Sequence, residues 1–343
     1  MSDRKHALFP GKLTSLADAA AAIDGLEDLL AALGVAITPG SDLEQGSLAV
    51  KYMADYYQKR ARGESLPPWP GANLRDDIQV ALSIHNLAQL ILSRRTNPSF
   101  ANLIPHLRLL ASGAAAQTRP APVIDQASNK LFELNLALAC LGSTNGLEME
   151  NPDGPTKERN PDVLARMTDQ RLWGFPCKVV HGDHPQSIWD AIDKGVNQIE
   201  VSKAETGLVV VSFKNKLPHD SLFPTLGTDR DGDPILGALP SEDLAVAAHA
   251  RFVDNQIRAM VDFVTREEIE KRLAGSKALP AIAVPVETAV AIRTPLGAIP
   301  SLLSYLHVLA LERPTETPRF DAAAKQVTAD INLGLVAGRV KPI

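Results

Sequence analysis

Apolar residues recur at helical spacing through the first third of the chain. In "LTSLADAAAAIDGLEDLLAALG" the positions Leu16, Ile23, Leu26 and Leu30 share a face, Ser15 and Asp18 make a capping-box start, and Gly34 supplies the stop. A second helix is predicted from Ser41, with Glu44 three residues on, through Val50, Met53 and Tyr57 to "KRARG". After the breaker "SLPPWPGAN" a third helix carries Ile78, Leu82, Leu87 and Ile91, and a short fourth covers Phe100 to Ala111. The small, proline-containing stretch at 112–122 marks a boundary. The expected division is a helical N-terminal region over 1–120 and a second unit over 121–343.

Beyond that boundary the period changes. A helix, "DQASNKLFELNLALACLG", precedes three short apolar runs, "LEMEN", "PDVLARMT" and "RLWGFPCKVV", each bounded by turn residues. Another helix, "HPQSIWDAIDKGVNQIEVSK", leads into the β-branched run "GLVVVSFKN". The order is α-β-β-β-α-β, and the last two strands should be parallel because a helix joins them. Residues 241–274 read as one long amphipathic helix or two shorter ones, "AIAVPVETAVAI" and "LLSYLHVLAL" as further strands, and 319–336 as a closing helix. The expected fold class is α/β with a mixed sheet, plus the helical N-terminal region.

Composition narrows the class without fixing the activity. A chain of 343 residues with 45% hydrophobic content supports a sizeable core. Two cysteines, Cys140 and Cys177, lie in apolar runs and cannot build a disulfide framework, so they read as core thiols. No segment approaches the roughly twenty uninterrupted apolar residues of a membrane span, and a cytoplasmic protein with no membrane partner is expected. The net charge of −5 gives no general pull toward nucleic acid, yet leaves room for one local basic groove.

Candidate chemistry lies where polar residues interrupt apolar segments. Glu133 sits on a helix that is apolar nearly all round, where an unpartnered carboxylate is expensive. Asp162 opens the second strand, and Lys178 sits within the third. Asp153 also follows a proline, but "NPDG" reads as a turn, so Asp162 is preferred. Alternation puts Pro176 and Lys178 on one face and turns the Cys177 side chain into the opposite layer, leaving the Cys177 carbonyl at the strand edge as a possible cation ligand. Pro176 removes a ladder hydrogen bond, which predicts a bulge or local distortion. Each residue has a plainer reading too: Lys178 reaching solvent, Glu133 in an internal ion pair, His181 and His184 exposed in a loop, and "DRDGDP" a polar loop without the calcium-loop glycine.

The element order, the literal Pro161-Asp162 and Lys178 sixteen residues later resemble the PD-(D/E)xK nuclease superfamily, the restriction-endonuclease-like fold, over about residues 125–217. The resemblance implies Asp162 and Glu133 as ligands of Mg²⁺ or Mn²⁺, together with the Cys177 carbonyl. It gives Lys178 the assisting role at the attacking water, and it places Gln198 facing the site from the following helix. It further implies metal-dependent hydrolysis of nucleic acid, with DNA the expected substrate, in defence or repair. The motif's second acid is absent, because position 176 is proline. Glu133, or else Asp190 or Glu200, would have to replace it. The alternative is a nuclease-fold protein that no longer cuts and binds nucleic acid or protein. A homodimer or a protein partner would then be met through the helical N-terminal region.

Overall fold

The computed structural model describes residues 6–9, 12–14, 16–64, 74–113, 116–118, 126–144, 146–152, 160–228, 234–295, 297–313 and 318–337. The capping residue Ser15, the breaker at 65–73, much of the 112–122 boundary, Asp153 and most of "DRDGDP" lie outside them.

An antiparallel hairpin, β1 (His6–Phe9) and β2 (Lys12–Thr14), precedes α1 (Leu16–Ala32), α2 (Asp42–Ala61) and α3 (Leu74–Arg94). A 3-10 turn at Pro98–Leu103 leads into α4 (Ile104–Leu110). The next block is α5 (Gln126–Cys140), β3 (Leu147–Met149), β4 (Val163–Arg166), β5 (Leu172–Phe175), β6 (Cys177–Val179), α6 (Pro185–Val201) and β7 (Thr206–Ser212). Then come α7 (His219–Leu222) and a second small hairpin, β8 (Thr225–Thr228) with β9 (Pro234–Leu236). The chain closes with α8 (Glu242–Val264), α9 (Arg266–Leu273), the long strands β10 (Ala278–Thr294) and β11 (Gly297–Ala310), and α10 (Ala322–Ala337). The stretch read as one helix or two divides at Thr265, whose φ of 76° breaks the helix and whose hydroxyl accepts from the Glu268 amide to start α9.

The main sheet is mixed and has seven strands, ordered β11-β10-β7-β5-β4-β3, with β6 also paired to β7. Strands β3, β4 and β5 form an antiparallel meander, whereas β5 and β6 run parallel to β7, as a helical crossover requires. The β10–β11 hairpin extends the sheet, with β10 parallel to β7.

One face carries Trp173, Phe175, Cys177, Leu208 and Val210 against α3, α5 and α10 in a cluster that also takes in Ile23, Leu26 and Leu30 of α1. The other face carries Val209, Val211 and Val284 against α6 and α8. Glycine sets two of the closest approaches. A Cβ at Gly334 on α10 would collide with the Ala139 carbonyl of α5, and one at Gly207 would stand 2.6 Å from the Gly174 carbonyl.

Pro176 divides the third predicted strand into β5 and β6. The expected distortion takes the form of this break and not of a bulge: Trp173 pairs with Thr206 and Lys178 with Val211, so the offset is 33 residues on both sides of the proline (206 − 173 and 211 − 178). The Pro176 carbonyl still accepts from the Val210 amide at 2.9 Å, so the proline forfeits only the one bond its own nitrogen would have donated toward β7, and pairing resumes in the same register. Without an inserted residue, Lys178 stays on the face of Pro176. There Pro176 is buried against α6, its Cβ 3.4 Å from where a Cβ on Gly195 would lie.

Candidate functional site

The meander ends where β4 begins and β6 diverges from it, so β6 keeps a free edge beside Asp162. Val180 N–H and Pro176 C=O both bond to β7, which turns the Cys177 backbone groups the other way, toward that edge. Asp162 fills the gap: its Oδ2 accepts from the buried Cys177 amide at 2.7 Å. The carboxylate thus replaces the strand partner that β4 no longer supplies.

Two lysines approach Asp162 from opposite layers. Lys178, on the α6 face, places Nζ 3.7 Å from Oδ2, and Lys130, on α5, places Nζ 3.6 Å from Oδ1. Lys130 also donates to both oxygens of Glu133, at 2.7 and 2.9 Å, across one helical turn. Glu133 is buried, and its Oε2 accepts from Nε2 of the fully buried His106 on α4, 3.2 Å away. Among the described residues the His106 Nδ1 has no partner, so the tautomer protonated on Nε2 leaves only a bare acceptor inside the core.

Burial and the neighbouring Asp162 carboxylate push the Glu133 carboxyl up to about 8, against the opposing pull of Lys130. Burial, reinforced by the Lys130 ammonium, pushes His106 down to about 4. Although burial opposes it, the charges of Glu133 and Asp162 hold Lys130 above its ordinary value. The Cys177 thiol, buried and close to Asp162 and Glu133, is raised well above the usual range, as suits a packing residue.

The structure thus brings together Asp162, Glu133 and the Cys177 backbone, with Lys178 at the Asp162 end. Gln198 does not join them. It is buried on α6, its Nε2 donating to the Asn160 carbonyl at 2.7 Å, so it fixes the chain two residues ahead of Asp162. Asp190 and Glu200 have partners elsewhere. Asp190 accepts from Gln186 at the exposed end of α6, and Glu200 accepts from Ser276 and the Lys277 amide. Of the loop histidines, His181 meets Asn215, and exposed His184 caps α6. The pattern reading missed Lys130 and His106. Lys130 carried the signal of three-residue helical spacing from Glu133, and His106 that of a polar residue in the apolar run "LIPHLRLL".

No family model, curated protein or solved structure matches this chain. The site has to be read from its own chemistry.

The donor set does not fit a divalent cation. Mg²⁺ needs oxygen ligands at about 2.0–2.1 Å in near-octahedral order, and Mn²⁺ is served by the same oxygen donors. Here Glu133 already serves Lys130 and His106, Asp162 serves the Cys177 amide, and position 176 offers a pyrrolidine ring in place of a carboxylate. Among the described residues no group of three histidine, cysteine or acidic side chains is set to hold a metal. A dication roughly 4 Å from an ammonium is repelled by about 8 kcal/mol at an effective dielectric of 20, and this site holds two ammoniums. Nor is any helix of the described residues long and apolar enough to cross a membrane.

Proposed function

We propose that this chain is a nuclease-like protein that binds nucleic acid, DNA in the first instance, without cutting it. The observation that carries the reading is Pro176 held in register. Lys178, matched by resemblance to the motif lysine, pairs with Val211 in unbroken register, while the position two residues earlier packs a pyrrolidine against Gly195 of α6. An enzyme that polarises a phosphodiester through a metal needs an acid there or a substitute nearby. Glu133, the nearest substitute, is committed to Lys130 and His106. Lys178, partly exposed beside Asp162, is the residue assigned to the phosphate backbone.

The test incubates the full chain with plasmid, single-stranded DNA and RNA in millimolar Mg²⁺ or Mn²⁺. The expected result is no cleavage, with salt-dependent DNA binding that Lys178→Ala weakens severalfold. A second reading, a metal-dependent DNA hydrolase, draws support from the convergence of Asp162, Glu133 and Lys178 at one end of the sheet. Cation-dependent cutting that Asp162→Asn abolishes would establish it and overturn the first.

A further inference from the structure

We infer that the ammonium of Lys130 is the resident cation of this centre: it occupies the position between the Glu133 and Asp162 carboxylates that a metal would need, and keeps the wild-type protein from taking up Mg²⁺ or Mn²⁺ there. The inference rests on the non-cutting reading above and adds to it a named device.

The geometry is that of a tethered counter-ion. Lys130 Nζ lies 2.7 and 2.9 Å from the two Glu133 oxygens and 3.6 Å from Asp162 Oδ1. Those are ammonium distances, longer than the contacts Mg²⁺ requires. The lysine comes from the same helix as Glu133, one turn earlier, so no search through solvent is needed to bring it back. Lys178 supplies a second ammonium at the other Asp162 oxygen. With Glu133 ionised the two acids and two ammoniums are formally neutral, and with Glu133 protonated the cluster is positive, so in either state the electrostatic demand that would draw in a dication is already met. Fixed donors hold each acid as well, His106 Nε2 on Glu133 and the Cys177 amide on Asp162. Lys130 is a positioning residue here, since it ties α5 to the start of β4 through their acids.

The same geometry says what removing the ammonium does. Lys130→Met keeps the length and packing of the stem and deletes the charge, leaving two carboxylates side by side with a space between them. Oxygen ligands so placed, with the carbonyl of Cys177 on the adjoining edge, then have reason to bind a divalent ion.

The probe is Mn²⁺ itself, followed by its electron paramagnetic resonance signal with the full-length protein at pH 7.5. Wild type is expected to leave added Mn²⁺ free up to about millimolar concentration, roughly 4 kcal/mol of binding at most. Lys130→Met should bind at least tenfold tighter, lose that binding when Asp162→Asn is added, and melt at a higher temperature with Mn²⁺ than without. Lys130→Gln provides the same test should the methionine variant fold poorly, judged by circular dichroism. If a folded Lys130 variant gains no Mn²⁺ binding while wild type has none, the surrogate role is wrong and the non-cutting reading stands. If wild type binds Mn²⁺ through Asp162 but cuts nothing, the inference alone falls. If it binds and cuts, both fall.

Discussion

Substituting Asp162 tests whether its carboxylate is a structural cap as well as a candidate site residue. In Asp162→Ala the buried Cys177 amide loses its acceptor, and an orphaned buried donor costs about 1–3 kcal/mol. Lys130 and Lys178 lose a shared counter-charge as well, which solvent partly screens because both side chains are about one-fifth exposed (22% and 19%). We assign that loss about 1 kcal/mol in total. The sum is about 3 kcal/mol for alanine. Asparagine keeps an oxygen for the amide while removing the charge, so Asp162→Asn should cost only about 1–2 kcal/mol. Urea unfolding followed by tryptophan fluorescence reads the difference, because of the three tryptophans Trp173 is fully buried on β5, stacked on Phe175. Equal destabilisation of the two variants would show that charge, and not the amide acceptor, is what matters. If both lay within about 0.5 kcal/mol of wild type, Asp162 would not be a cap at all. The comparison also guards every functional experiment, since a silent Asp162→Ala protein could be silent only because it is unfolded.

Stability should depend on pH with opposite contributions from the two buried partners. Glu133 retains a proton in the fold, so its contribution is complete below its ordinary 4.5 and drains away as pH rises to about 8. His106 is held neutral, so its contribution is complete above 6.5 and is lost as pH falls to about 4. The slopes cancel between 4.5 and 6.5, and from 6.5 to 8 Glu133 alone lowers stability by about 2 kcal/mol. Denaturant midpoints at pH 6.5 and 8 measure this, and a fall that Glu133→Gln leaves untouched would contradict the assignment. Gly207→Ala should cost about 3 kcal/mol, because its Cβ would press on the Gly174 backbone carbonyl, which cannot yield, as well as on the Ile199 side chain; chemical denaturation checks it. Cys140, pushed up to about 12 by burial, and Cys177 should both ignore a thiol reagent in the native protein and react in full after unfolding, so rapid native labelling of Cys177 would refute its core placement.

Much of the architecture was legible because it is local. Periodicity alone located α1, α2, α3, α5, α6 and the meander, since each buries one face or both and must space its apolar residues accordingly. The β-branched run of β7 announced a strand buried on both sides, and every residue of it is buried. Cys177 followed from strand alternation. The β1–β2 and β8–β9 hairpins were not anticipated.

The sequence by itself therefore determined the order of helices and strands, the mixed α/β character, and the placing of Glu133, Asp162 and Lys178 at interruptions in apolar segments. These are consequences of backbone period and burial, which act over a few residues. Only the tertiary structure decided that Lys130 and His106 would take up Glu133, that Asp162 would answer the Cys177 amide, that Gln198 would hold Asn160, and that Pro176 would interrupt the sheet without shifting it. The reason is that a buried polar group must find a partner, and which partner it finds is set by the packing of α4, α5 and β4, elements far apart in the chain.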